Sequence, residues 1–160
     1  MKKFFKKLIY ITFFIVYFFQ IKQIQSFVPY YYLPTIKNLE REAFSIGKNA
    51  YQLLYFGQYE QSLNMAKLAV KINKNDEKLW LILSEAQVAN KLYKNALISL
   101  NKAQEINPNN SETYILEGNI YLKTSKLQKA KIALEKALRI ESNKYIAIFQ
   151  LGNILLMDKN

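Results

Sequence analysis

Neither cysteine nor histidine occurs anywhere in the 160 residues, and glycine and proline number only four and three. Without a thiol or an imidazole there is no disulfide, no thiolate nucleophile, no imidazole acid–base relay and no metal site built on nitrogen or sulfur ligands. A catalyst in this chain would have to be made from carboxylates, lysine, tyrosine or serine. So few glycines exclude a Gly-rich phosphate cradle, and the shortage of turn-formers excludes a turn-rich β-sandwich. What the chain has in quantity is apolar side chain, 51% of it, too much for a disordered polymer and enough for one domain or a short array of repeats. The chain reads as helical.

The formal charge of +11 suggests nucleic acid or an anionic membrane until it is divided along the sequence. Residues 1–39 hold six lysines and no acid, whereas residues 40–160 hold 17 Lys and Arg against 12 Asp and Glu. The part expected to fold therefore carries a modest excess, read as solvated helix faces. No nucleic-acid partner, cofactor or metal is expected.

Lys2, Lys3, Lys6 and Lys7 precede a twelve-residue apolar run, Leu8 to Phe19, closed by the polar stretch Gln20 to Ser26. This is the layout of a signal peptide over residues 1–26. Twelve helical residues reach about 18 Å, short of the ~30 Å hydrocarbon core of a bilayer. Cleavage after Ile24-Gln25-Ser26 is the first reading; an uncleaved signal anchor, with residues 4–21 in the membrane, and an ordinary buried helix are the alternatives. Both export readings leave the four lysines on the cytoplasmic side and carry the rest across, to a periplasm-type or thylakoid-lumen-type compartment. With no cysteine to carry a lipid, a lipoprotein is excluded. Residues 27–40, which open FVPYYYLPT with Pro29 and Pro34, read as a Pro/Tyr-rich extended linker.

Beyond residue 40 the chain repeats every 34 residues. Ala50, Ser84, Gly118 and Gly152 are small; Ile46, Trp80, Tyr114 and Ile148 are large; Ala69, Ala103 and Ala137 are identical, as are Ile72, Ile106 and Ile140. Helical hairpins pack closely only where one helix offers a hollow and its neighbour a knob, so small and bulky residues recur at fixed spacing. The pattern predicts seven helices, near 41–55, 59–72, 77–89, 93–105, 111–123, 127–139 and 145–157, separated by Gly57, by Asn73 to Asp76, by Asn107 to Ser111 and by Ser142-Asn143. Asp76 and Ser111 are the expected N-caps, and Glu135 with Arg139 an expected surface pair.

The period, the Trp80 to Ser84 spacing, the Ala96 and Ala103 columns and the terminal Pro108 resemble the tetratricopeptide repeat, over about residues 41–160. The resemblance implies an all-α tetratricopeptide α-solenoid: repeats at about 43–76, 77–110 and 111–144, a partial unit at 145–160, and an N-terminal hydrophobic signal helix ahead of them. Lys74 and Ser142 stand where the family usually has proline, and Glu117 where Leu83 and Leu151 sit in their units. Such arrays are scaffolds whose first helices line a concave face that grips a protein or peptide partner, so binding is expected and catalysis is not. The face would hold Tyr51, Leu54, Tyr55, Leu81, Glu85, Val88, Ala89, Ile115, Asn119, Leu122, Lys123, Phe149, Asn153 and Leu156. Only Asn119 and Lys123 match the set with which some relatives clamp a terminal carboxylate, so an apolar or amphipathic segment is the expected ligand. In layout the chain is similar to exported cyanobacterial and plastid repeat proteins that help assemble photosystems, and to bacterial envelope-assembly factors. A membrane-anchored assembly factor is thus the runner-up to a free scaffold. The last helix, YIAIFQLGNILLM, is apolar nearly all round and looks like the first half of a fourth unit, which predicts that self-association or a partner covers it.

Overall fold

The computed structural model describes residues 36–157, with side chains from Asn38 onward, so the expected signal segment at 1–26 and the expected linker up to residue 35 lie outside the described residues. Seven helices and no strand make up the described part: α1 (Ile36–Tyr55), α2 (Tyr59–Ile72), α3 (Glu77–Ala89), α4 (Tyr93–Ile106), α5 (Ser111–Lys123), α6 (Leu127–Ile140) and α7 (Tyr145–Met157). From α2 onward the boundaries fall within one residue of the periodic expectation. By contrast α1 starts at Ile36, earlier than the expected residue 41. No described helix is long and apolar enough to cross a membrane.

The hollows and knobs work as the period requires. Ala43, Gly47 and Ala50 make a small-residue stripe on α1, and a side chain at Gly47 would strike Leu79 of the next unit. At Gly118 a β-carbon would lie 2.8 Å from Leu134 Cγ, so α5 and α6 can approach this closely only around glycine. Leu79 and Leu83 of α3 join Leu63, Ala66 and Ala69 of α2 in one buried cluster. Ala147 and Ile154 of α7 likewise join Leu134 and Ala137 of α6 in another. Each first helix thus completes the core of the unit before it, which is why a single hairpin has no core of its own.

The turns repeat as faithfully as the helices. Within each unit the first helix ends on a left-handed residue, Gly57 (φ 75°), Lys91 (φ 60°) and Ser125 (φ 57°). The following amide reaches back to Leu53, Gln87 and Tyr121 carbonyls, 2.8 Å in all three, closing the same C-terminal motif. Between units, Asp76 Oδ1 accepts from the Lys78 amide and Asn110 Oδ1 from the Glu112 amide, at 2.9 and 3.0 Å. The second cap is therefore Asn110, not Ser111: Ser111 is the first helical residue, fully buried, and its hydroxyl donates to Glu141. That bond, with Lys144 beside it, holds the Glu141 carboxyl below the usual range. Trp80 Nε1 and Tyr114 Oη, one column, donate to the carbonyls of Lys74 and Pro108 at 2.8 and 3.0 Å, pinning the first two inter-unit turns to the helices that follow. Among the described residues the ion pairs are Lys102–Glu105 and Lys144–Glu141, rather than the expected Glu135–Arg139.

Candidate functional site

Four repeat columns run along the first helices: Gly47, Leu81, Ile115 and Phe149; Tyr51, Glu85, Asn119 and Asn153; Leu54, Val88, Leu122 and Leu156; Tyr55, Ala89, Lys123 and Met157. At one end α1 presents Tyr51 and Tyr55, exposed by 52% and 82%, and at the other α7 presents Phe149 and Leu156, exposed by 69% and 66%. Between them Leu54, Leu81, Val88, Ala89 and Leu122 are half-buried, open to a ligand on one side and packed on the other. Lys123 is exposed and is the one cation among the residues expected here. Ile115 corrects the expectation: at 2% exposure it belongs to the cluster of Tyr114, Ala130 and Leu134, because α6 and α7 close over it.

Two side chains that the sequence reading leaves off the face, Gln150 and Glu112, meet residues of the neighbouring first helix that it places there. Gln150 of α7 donates through Nε2 to Asn119 Oδ1 of α5, which fixes the Asn119 side chain from the acceptor side. Glu85 lies mostly buried on α3, and burial first, then the nearby Glu112 carboxylate on α5, pushes its pKa up to about 7. Alignment of successive units carries the signal for both, since Glu112 and Gln150 fall in the first helix of the unit after their partners. Next to Asn119, a cavity of 460 Å³ is lined by Leu122, Ser125, Leu127, Gln150, Asn153, Ile154 and Met157, mixing apolar walls with two amides. The face as a whole is apolar and aromatic, with Lys123, Glu85 and the nearby Glu112 as its few ionisable groups.

The described residues contain no cluster of three Asp or Glu able to hold a metal ion. A second cavity of 290 Å³, off this face between α5 and α6, places Lys136 Nζ 4.3 Å above the Tyr114 ring and Lys129 Nζ 5.8 Å above that of Tyr121. Those are packing contacts of long amphipathic side chains on aromatic rings. In the same place burial, followed by Glu117, raises the Tyr121 pKa, which keeps that phenol protonated.

Residues 77–110 and 111–144 each match the family model of the tetratricopeptide repeat. No curated protein matches the chain. Among solved structures, the second such domain of human RPAP3, in complex with the HSP70 peptide SGPTIEEVD, superimposes with a TM-score of 0.67 at 19% identity, covering 72% of this chain and 97% of that one. The Yersinia enterocolitica type III secretion chaperone SycD, in complex with a peptide of the translocator YopD, gives 0.65 at 17% identity, covering 71% and 92%. The TPR domain of Arabidopsis OM64 gives 0.68 at 16% identity, covering 72% and 96%. At these identities the likeness is one of fold, and it agrees with the helix order and the buried columns: residues 36–157 form an α-solenoid with the fold of a tetratricopeptide array, within which 77–144 match the family's own model.

Proposed function

We propose that this array of tetratricopeptide repeats is a non-enzymatic scaffold that holds a segment of a partner protein along the face of its first helices. The observation that carries the reading is that face itself, an aromatic and leucine surface exposed at its ends, at Tyr51, Tyr55, Phe149 and Leu156, and half-buried between them. Similar folds bind peptides, as the HSP70 and YopD complexes do. The ligand we favour differs in chemistry from an acidic peptide end: Lys123 is the one cation on the face, and the Glu85 and Glu112 carboxyl groups lie close together there. An apolar or amphipathic segment with a basic residue opposite Glu85 fits better.

The scaffold acts outside the cytoplasm, delivered by Lys2, Lys3, Lys6 and Lys7 and the apolar run that follows. If that run is retained, the same solenoid becomes a membrane-anchored factor for assembling a membrane complex. Intact mass of the native protein separates the two: a chain starting at Phe27 is free, one retaining Lys2 is anchored.

A photo-crosslinking residue at Tyr51 or Tyr55 of the full chain, with Ile132 of α6 as an exposed control, tests the face. The expected result is a discrete polypeptide adduct from the first two positions and none from Ile132, lost when Leu81→Asp is added with helicity intact. Equal adducts from all three positions, or adducts indifferent to Leu81→Asp, overturn the proposal.

A further inference from the structure

In the first three units, the columns that α7 continues are buried or half-buried, with Ile46, Trp80, Leu53 and Tyr121 among the half-buried members. Ala50, Ser84 and Gly118 are buried, and Tyr114 is 3% exposed. The equivalent residues of α7 stand open. Ile148 is 51% and Leu155 50% exposed, and a β-carbon at Gly152 would meet nothing within 4 Å. With Tyr145, 77% exposed, these residues form a stripe at spacings of three, four and three, the seam of a two-helix contact. Their packed equivalent is already in the molecule, where Leu134 fills the hollow over Gly118.

We propose that this stripe binds a second copy of itself, α7 against α7, antiparallel about a twofold axis near Gln150. Two observations select a second copy over another partner. The stripe is self-complementary, with a knob, Ile148, and a hollow, Gly152, equally spaced about position 150, so antiparallel pairing seats each Ile148 on the other chain's Gly152 and sets Tyr145 against Leu155. An isologous interface requires this equality. In addition, α7 has no charged residue, unlike every other described helix, so two copies of a net positive chain meet there without opposing like charges. Phe149 and Leu156 stay at the edge, next to the groove, so the inference stands independently of the proposed ligand.

Because the chain has no cysteine, an introduced thiol is the only one present. Two tagged full-length chains, one carrying Ile148→Cys and the other Gly152→Cys, are co-expressed and oxidised in the intact cell. The expected product is the mixed disulfide, at least tenfold faster than either homodimer. Gly152→Leu, which adds its side chain into space that is open in the single chain, should weaken concentration-dependent dimerisation of the full chain at least tenfold without lowering helicity or melting of the dilute protein. A chain that stays monomeric at high concentration overturns the proposal. So do homodisulfides as fast as the mixed one, dimerisation indifferent to Gly152→Leu, and adducts to residues 1–35 of the same chain from a photo-crosslinking residue placed at position 148.

Discussion

Glu85 shows how a single residue in this fold is set by its neighbours. Its raised pKa means that between about 4.5 and 7 the folded chain holds a proton the unfolded chain releases. Stability due to this residue therefore falls as pH rises through that window, and above it the full cost of a buried carboxylate beside Glu112 is present. Glu85→Gln should leave the melting temperature near wild type at pH 5 and raise it at pH 8, by an amount worth on the order of 1–2 kcal/mol. Thermal melts at the two pH values check this; equal effects at both would mean that Glu85 stays ionised. The sequence places Glu85 on the binding face, since its column is periodic. The neighbouring carboxylate is legible only by aligning successive units, since Glu112 meets Glu85 once the next unit has docked.

Among the elements, the hairpin turns separate what residue type announces from what backbone geometry demands. Gly57 is visible in the sequence as a turn, since glycine accepts a left-handed conformation freely. Lys91 and Ser125 adopt the same conformation with side chains that disfavour it. Lysine and serine carry no such signal, yet both turns fall where the period places them, because the helices on either side fix the geometry. Lys91→Gly and Ser125→Gly should each stabilise the fold by about 1 kcal/mol, read as a higher urea midpoint with unchanged slope; no gain would show that the left-handed turn carries little strain here. The caps follow the same logic. Asp76 and Asn110 occupy one column, whereas Lys144 in that column has no side-chain oxygen with which to cap α7. Lys144→Asp should therefore strengthen the start of α7 by about 1 kcal/mol, measured as raised helicity and melting temperature; loss of the exposed Lys144–Glu141 pair offsets little of it.

For the whole described array, cooperativity follows from the order of packing, since each helix docks chiefly on its neighbours along the chain and stability is a sum of units and their interfaces. In an Ile148→Glu chain, which removes the proposed self-contact, amide exchange should be fastest in α7 and slowest in α3 to α5, whose residues are packed from both sides. Uniform protection across the seven helices would instead mean one cooperative block. Repeat length, helix number and nearly every helix boundary were determined by the sequence alone, because small and large residues at a fixed spacing are a local property that any hairpin of this size must satisfy. Which residues of a column are available for binding was decided only by the tertiary structure. Ile115 and Phe149 hold the same position in successive units, yet one is sealed under α6 and α7 and the other lies open. Burial depends on what the neighbouring units supply, and a column of equivalent positions does not carry that information.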